Sequence, residues 1–276
     1  MTLGDGVSIG VIGGGMMAEA FVSGLVRTGG SQAASVTVGE PVPTRREYLS
    51  MTYGVQTTDD NAMAVRGADV VLLAVKPQVL DAALTGLDAV LRRDTLVVSI
   101  VAGVTIATLR QRLGSAAIVR AMPNTPGQVG EGITVWTSTA ETSDAQRDQA
   151  DEILSALGER VAVDDEAYLD MATAVSGSGP AYVFLFIEAL ADAAVHVGFA
   201  RDTALKLALQ TVRGSAIYAQ SSDLHLAELR NRVTSPGGTT AAALAEFEGG
   251  ALRAVVDSAV RAAFARAREL GEMSKK

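Results

Sequence analysis

Val7 to Ala18 reads VSIGVIGGGMMA, and the reading of this stretch decides the fold. Val7 to Ile12 is a short apolar run of strand character. It breaks into Gly13-Gly14-Gly15-Met16-Met17-Ala18, after which Phe21, Val22 and Leu25 recur on one face at helical spacing. Gly10, Gly13, Gly15 and Ala18 fit the dinucleotide-binding fingerprint in its G-x-G-x-x-A form: Gly13 makes the turn, Gly15 admits a pyrophosphate, and Ala18 lets the helix lie close to the strand. The context agrees. A second strand-like run, Val36 to Gly39, ends in Glu40, near the position where an adenosine ribose is met. An acidic group there favours the free ribose hydroxyl of NADH and repels the extra phosphate of NADPH, whereas Arg45 and Arg46 are close enough to answer that phosphate. Both cofactors stay open.

The alternation continues through a helix from about Thr44 to Tyr53, a strand Asp69 to Val75, and a helix Val79 to Leu91. A strand Leu96 to Ile100, a helix near Ile106 to Leu113, a strand Ile118 to Met122 and a short strand Ile133 to Trp136 follow. This order predicts an α/β domain with a mostly parallel sheet over residues 1–164. Ligands of such sheets lie at the carboxyl ends of the strands, which singles out Ala74-Val75-Lys76-Pro77, Ala102-Gly103 and Pro123-Asn124.

From Glu166 onward strand signals vanish, so residues 165–276 are expected to form an all-helical domain. Pro180 opens a helix in which Ala181 to Val197 is apolar nearly all round except for Glu188, Asp192 and His196, the pattern of a buried helix. Leu252, Val255, Val256, Ala259, Val260, Ala263 and Phe264 repeat at three- and four-residue steps in the last one. Helices this rich in Ala and apolar faces predict a packed bundle and an oligomer interface. His196 and His225 have no carboxylate or Ser motif beside them and read as structural or surface residues.

With 276 residues, 48% hydrophobic content and a formal net charge of -8, the chain is expected to be soluble, and nucleic acid is not an expected partner. It has no Cys and only two His, which removes disulfides, thiolate catalysis and Cys/His metal sites from consideration. The N-terminus carries Asp5 and no basic region, and uninterrupted apolar runs such as Val70 to Val75 are too short to span a bilayer. A cytoplasmic protein without a membrane partner is expected.

Leu229 to Leu244 reads LRNRVTSPGGTTAAAL. Pro236-Gly237-Gly238 forces a tight turn, and Thr239 and Thr240 then stand where an N-cap is expected before the run Ala241 to Phe247. Two glycines let backbone N–H groups approach a ligand, and the free amides of a first helical turn favour a carboxylate or phosphate. Ser235, Thr239 and Thr240 add hydroxyls at the same spot. Taken alone the stretch fits an ordinary capped turn as well as it fits a site.

Six motifs in order then resemble those of the pyrroline-5-carboxylate reductase family, the last enzyme of proline synthesis. They are GGGMMA at Gly13 to Ala18, AVKP at Ala74 to Pro77, VAG at Val101 to Gly103, RAMPNTP at Arg120 to Pro126, SGSGPAY at Ser176 to Tyr182, and VTSPGGTT at Val233 to Thr240. The resemblance covers essentially the whole chain. It implies an N-terminal Rossmann domain and an all-α C-terminal dimerisation domain that interlocks with a partner, in a homodimer or ring of dimers. It further implies reduction of 1-pyrroline-5-carboxylate to L-proline by NADPH or NADH. The substrate carboxylate then rests on the amides of Gly237, Gly238, Thr239 and Thr240 with help from Ser235, the Thr240 hydroxyl lies near the ring nitrogen, Glu166 contacts substrate, and Asp223 supplies a nearby carboxylate. Gly13, Gly14, Gly15, Met16, Met17, Asn61, Val75, Lys76 and Ala102 match cofactor contacts. Two positions depart from the family pattern: Met16 stands where Asn is common, and Leu226 replaces the Pro that usually follows the His at His225.

A related architecture, the hydroxyacid dehydrogenases, uses a Lys general acid/base on the helix after the second glycine-rich stretch, and Pro180 to Val195 contains none. A non-catalytic dinucleotide sensor has no need of the Ser235 to Thr240 turn.

Overall fold

The structure is a computed structural model that describes residues 6–27 and 33–273. Its strand-bearing part runs β1 (Ile9–Ile12), α1 (Met16–Arg27), β2 (Val36–Gly39), α2 (Pro43–Tyr53), β3 (Gln56–Thr58), α3 (Asn61–Val65), β4 (Val70–Leu73), α4 (Leu80–Leu84) and β5 (Leu96–Ser99). It continues through α5 (Ile106–Leu113), β6 (Ile118–Met122), β7 (Gly132–Ser138), α6 (Asp144–Ser155) and β8 (Gly158–Ala162). One eight-stranded sheet results, in the order β3-β2-β1-β4-β5-β6-β7-β8. The first six strands are parallel, β7 runs antiparallel to β6, and β8 is parallel to β7.

The central strands are apolar at nearly every position because both faces are covered. Ile9 and Val11 of β1, with Val70 and Leu72 of β4, join Phe21, Val22 and Leu25 of α1 and Ile153 and Leu154 of α6 in one core. Ile12, Val71 and Leu73 point the other way, into a second core with Leu80, Leu84, Leu109 and Leu113 from α4 and α5. A sheet wound on both faces in this strand order reverses direction between β1 and β4, the place where such folds bind dinucleotides.

Local chemistry sets the helix ends. Pro43 opens α2 and Gly54 closes it at φ 70°. Thr105 caps α5 by accepting from the Thr108 N–H, and Ser143 and Gln146 form a reciprocal capping box on α6. The helix expected over 79–91 shrinks to α4, because Thr85 leaves the helical region and Gly86 turns at φ 75°.

Beyond β8 the chain is helical: α7 (Tyr168–Ala172), a π-type turn Thr173–Gly177, α8 (Gly179–His196), α9 (Arg201–Gln220), α10 (Leu226–Arg232), α11 (Thr239–Gly249) and α12 (Leu252–Met273). Pro180 therefore continues a helix that begins before it rather than opening one. The Ser178 N–H bonds the Thr173 carbonyl at 2.8 Å, and the Thr173 and Ser176 hydroxyls bond the carbonyls of Leu169 and Ala172 one turn back, so one extra residue is absorbed and the helix runs on.

Contacts divide the chain into two compact units, Met1–Ser178 with Ala263–Lys276, and Gly179–Ala262. Within the second, α8 packs on α9, and the buried residues of the two helices are small: Ala191 of α8, and Ala204 and Ala208 of α9. The expectation that α8 is buried does not hold in a single copy: Phe184 is 63% and Leu185 66% exposed. An all-apolar helix has more faces than one short helical unit can cover. The stretch Ala167–His196 is also long and apolar enough to cross a membrane by length and composition. A search for uninterrupted apolar runs passes over it because Glu188 and Asp192 fall within it.

Candidate active site

Three strand ends are tied together at the reversal point. Gly13, at φ 95°, donates its N–H to the Gly39 carbonyl at 2.8 Å, and the Ala74 N–H donates to the Ile12 carbonyl at 2.9 Å. A Cβ on Gly13 would stand 2.9 Å from both the Ala74 carbonyl oxygen and Val75 Cγ1, so only glycine fits. Gly15 is the opposite case. A Cβ there would meet nothing within 4 Å, leaving the start of α1 open to a pyrophosphate, with Met16 exposed beside it and Met17 half-buried. This open cradle over free helix amides suits a dinucleotide.

Glu40 sits where the fingerprint places it, but its carboxylate already has partners. Oε2 accepts from the Gly14 N–H at 2.8 Å and Oε1 from the Val42 N–H at 2.9 Å. Arg45 donates from Nε to the Gly14 carbonyl at 2.5 Å and pairs with Glu19. Glu19 also accepts from the hydroxyls of Tyr48 at 2.9 Å and Tyr53 at 2.7 Å. Partial burial pushes the Glu19 carboxyl upward, but the bonds from Arg45, Tyr53 and Tyr48 outweigh it and hold the group below the ordinary glutamate value. Burial and the same contact with Glu19 push the Tyr53 hydroxyl upward.

The remaining strand-end residues gather at the same edge of the sheet. Asn61 opens α3, donating Nδ2 to the Ala83 carbonyl at 3.0 Å, and its Oδ1 lies where a side chain at Gly39 would clash. Ala74 and Val75 are half-buried, Lys76 is exposed, and Pro77 starts a 3₁₀ turn. Ala102 is exposed in a turn completed by Gly103 at φ 74°. Pro123 is buried, and Asn124 anchors the following loop by accepting from the Ile133 N–H at 2.9 Å.

Glu166 follows β8 and reaches back across the sheet edge. Its Oε1 accepts from the Ile106 N–H, at the start of α5, at 2.8 Å and from Arg120 of β6 at 2.6 Å. Arg120 also stands 3.6 Å from Asp170, and its side chain is only 7% exposed. Arg120 and Glu19 help to build this edge without being among the candidate site residues of the motifs. An arginine inside the apolar strand IVRAM was the available signal for the first, since a buried guanidinium needs an anion; Glu19 had none, being an ordinary acidic residue in a first helical turn.

In the second unit, the turn before α11 closes with the Gly238 N–H on the Ser235 carbonyl at 3.1 Å, and Gly237 takes φ 69°. Gly238, not a threonine, is the N-cap; Thr239 and Thr240 occupy the first two helical positions. The reason is that Gly238 already has the extended backbone of a cap, φ -78° and ψ 172°, and lacks a side chain to bond the helix amides. Those amides therefore have no side-chain cap. Ser235 is exposed and Thr240 half-buried. Asp223 is exposed ahead of α10, which His225 caps through Nδ1 to the Ala227 N–H at 3.1 Å.

Comparison with known proteins agrees with this geometry. Residues 166–270 match the family model for pyrroline-5-carboxylate reductase dimerisation, and residues 8–103 match that described as NADP oxidoreductase coenzyme F420-dependent. The pyrroline-5-carboxylate reductase of Synechocystis is 46% identical, covering 96% of this chain and 99% of its own length. A solved pyrroline-5-carboxylate reductase from Coxiella burnetii superposes with a TM-score of 0.90 at 39% identity over 96% of this chain and 98% of that one. The Plasmodium falciparum enzyme, solved with NADP bound, gives 0.86 at 31% identity over 97% and 99%. A glycine cradle at the sheet reversal, a free-amide turn ahead of α11 and likeness along nearly the whole chain lead to one conclusion: the chain belongs to the pyrroline-5-carboxylate reductase family.

Proposed function

We propose that the chain reduces 1-pyrroline-5-carboxylate to L-proline, the final step of proline biosynthesis. The observation that carries the reading is whole-length likeness to pyrroline-5-carboxylate reductases at up to 46% identity, in a chain that keeps both the open Gly15 cradle and the uncapped turn before α11. When bound, NAD(P)H supplies the hydride that adds to the imine carbon, and a proton must reach the ring nitrogen for the amine to form.

Each residue takes a role consistent with its surroundings. Gly13, Gly14, Gly15, Met16 and Met17 cradle the pyrophosphate on α1, Glu40 meets the adenosine ribose, and Asn61, Ala74, Val75, Lys76, Pro77, Ala102, Pro123 and Asn124 line the strand ends along which the cofactor lies. The amides of Gly237 to Thr240 hold the substrate carboxylate with the Ser235 hydroxyl, and the Thr240 hydroxyl relays the proton, with Asp223 as a nearby carboxylate. Glu166 takes both of its bonds on Oε1, which leaves Oε2 for a substrate atom.

We take the functional division at residue 164/165, a reading supported by the last strand ending at Ala162 and the dimerisation match beginning at residue 166, although the compact units divide at 178/179. Exposed Phe184 and Leu185 and the matched model favour a homodimer or ring of dimers. The same pairing gives the apolar Ala167–His196 stretch a protein partner, which suits a cytoplasmic enzyme. The test is to follow NADH and NADPH oxidation with pyrroline-5-carboxylate and identify proline as product. Absence of turnover with either cofactor overturns the proposal.

A further inference from the structure

We infer that this chain is built for NADH and that two carboxylates enforce the choice, Glu40 by occupying the 2′-phosphate position and Glu19 by withholding Arg45 from it. The inference rests on the reading of the glycine loop as a dinucleotide site and names which dinucleotide it takes.

In this fold the adenosine ribose lies past the carboxyl end of β2, where a carboxylate suits the 2′-hydroxyl and a free guanidinium suits a 2′-phosphate. Two arginines follow β2, and neither is free. Arg45 is fixed on three sides: Nε on the Gly14 carbonyl, Nη2 on Glu19, and the guanidinium carbon 5.0 Å from the centre of the Tyr48 ring. Arg46 donates Nη1 to the carbonyls of Glu40 and Pro41, both at 2.8 Å, with Nη2 3.8 Å from Asp59. These contacts staple the β2–α2 loop rather than face an incoming anion.

Glu40 is equally fixed. Its two oxygens bridge the Gly14 and Val42 amides, and a Cβ on Gly14 would lie 3.0 Å from Glu40 Cγ and 3.1 Å from its Cβ, so the side chain is packed against the loop and cannot swing aside cheaply. Each carboxylate oxygen has lone pairs beyond the one in use, enough to accept a ribose hydroxyl. A phosphate brought to the same place meets a fixed negative charge with no unpaired guanidinium to answer it. Glu19 completes the arrangement. With Arg45, Tyr48 and Tyr53 all donating to it, moving Arg45 to a phosphate would break an ion pair and a ring contact together. Glu19 is thus a positioning residue, acting through Arg45.

The experiment measures binding rather than turnover, using ADP and 2′,5′-ADP as probes by calorimetry on the wild type, Glu40→Ser, Glu19→Gln and Arg45→Ala. The wild type should bind ADP more tightly than 2′,5′-ADP. Glu40→Ser should move the affinity ratio roughly fivefold toward 2′,5′-ADP, the scale of one partly exposed charge contact, and Glu19→Gln roughly threefold. Arg45→Ala should change both affinities by the same factor in the wild-type background but abolish the gain made by Glu19→Gln. Tighter wild-type binding of 2′,5′-ADP overturns the inference whether or not the variants fold, and so does a selective loss of 2′,5′-ADP binding in Arg45→Ala. Failure to bind either nucleotide overturns the dinucleotide reading itself, a different outcome from a reversed preference.

Discussion

Replacing Arg120 by Met removes a cation that Glu166 and Asp170 share, and the structure sets the size of the effect. Arg120 is 7% exposed, while its partners are 29% and 25% exposed. Breaking a fully buried ion pair by deleting one member costs about 3–5 kcal/mol, because the remaining charge stays desolvated. Here water reaches both carboxylates, so about 2–3 kcal/mol is expected, with Met filling most of the vacated volume. At about 2–4 °C per kcal/mol for a unit of this size, the melting temperature should fall by roughly 4–12 °C. Glu166→Gln keeps an acceptor for Arg120 and the Ile106 amide and should cost only about 1 kcal/mol. In the double variant the losses should fall short of their sum by about 1 kcal/mol, the whole of the smaller loss, since each weakens the same pair. Scanning calorimetry at one fixed protein concentration makes the measurement, because an assembling protein melts at a concentration-dependent temperature. An Arg120→Met protein melting within about 1 °C of wild type, or strictly additive losses, would refute the view that this pair ties α7 to β6 and the start of α5.

Four further outcomes can be checked. Thr240→Ala should lower the rate of imine reduction by about 10- to 1,000-fold with cofactor affinity nearly unchanged, the range for one positioned donor or relay; unchanged turnover would leave the turn as a plain helix start. Gly238→Ala places a Cβ 2.4 Å from Ser235 Oγ and must push that hydroxyl aside, so KM for the imine and the inhibition constant for proline should rise together; a change in kcat alone counts against the carboxylate role. Asp69 is subject to burial, which raises it, but the Ser8 amide and hydroxyl and Arg92 hold it lower, below the ordinary aspartate value; its stabilisation is present above about pH 4 and lost as pH falls through the lowered value. The stability gap between wild type and Asp69→Asn, from denaturant midpoints, should therefore be widest near neutrality and close in acid, and a pH-independent gap contradicts the linkage. Phe184→Asp with Leu185→Asp should release a lower-mass species in mass photometry, and an active wild-type monomer at nanomolar concentration rules out the assembly proposed for α8.

The legible part of the fold was the part buried on both faces. β1, β2, β4, β5 and β6 are short runs with almost no polar residue, so hydrophobic patterning alone locates them. β3 and β8 went unread because an edge strand needs only one covered face: QTT and GERVA carry polar and charged side chains that no search for apolar runs will find. α6 had a readable start in its Ser143 and Gln146 capping box, masked by a helix body rich in Asp and Gln. The cover over α8 is illegible for a different reason. Sequence shows that a helix is apolar all round, but not whether its own chain or another copy supplies the cover.

The site was legible wherever backbone does the binding and obscure wherever side chains hold one another. Gly13 and Gly237 announce themselves because their positive φ favours glycine, and Gly15 and Gly238 because each stands at a helix start without a side chain, which is why the two anion cradles proposed above rest on amides instead of a cation. On the proposed roles, a negatively charged chain would bind two anionic ligands without concentrating lysine or arginine at either place. The arginines that do lie near the cofactor edge, Arg45, Arg46 and Arg120, are all paired with carboxylates or carbonyls of the protein. The pairs Arg45–Glu19 and Arg120–Glu166 join residues 26 and 46 positions apart in sequence, so spacing could not reveal that Arg45 and Glu40, one suited to a 2′-phosphate and the other opposed to it, are both bound to Gly14.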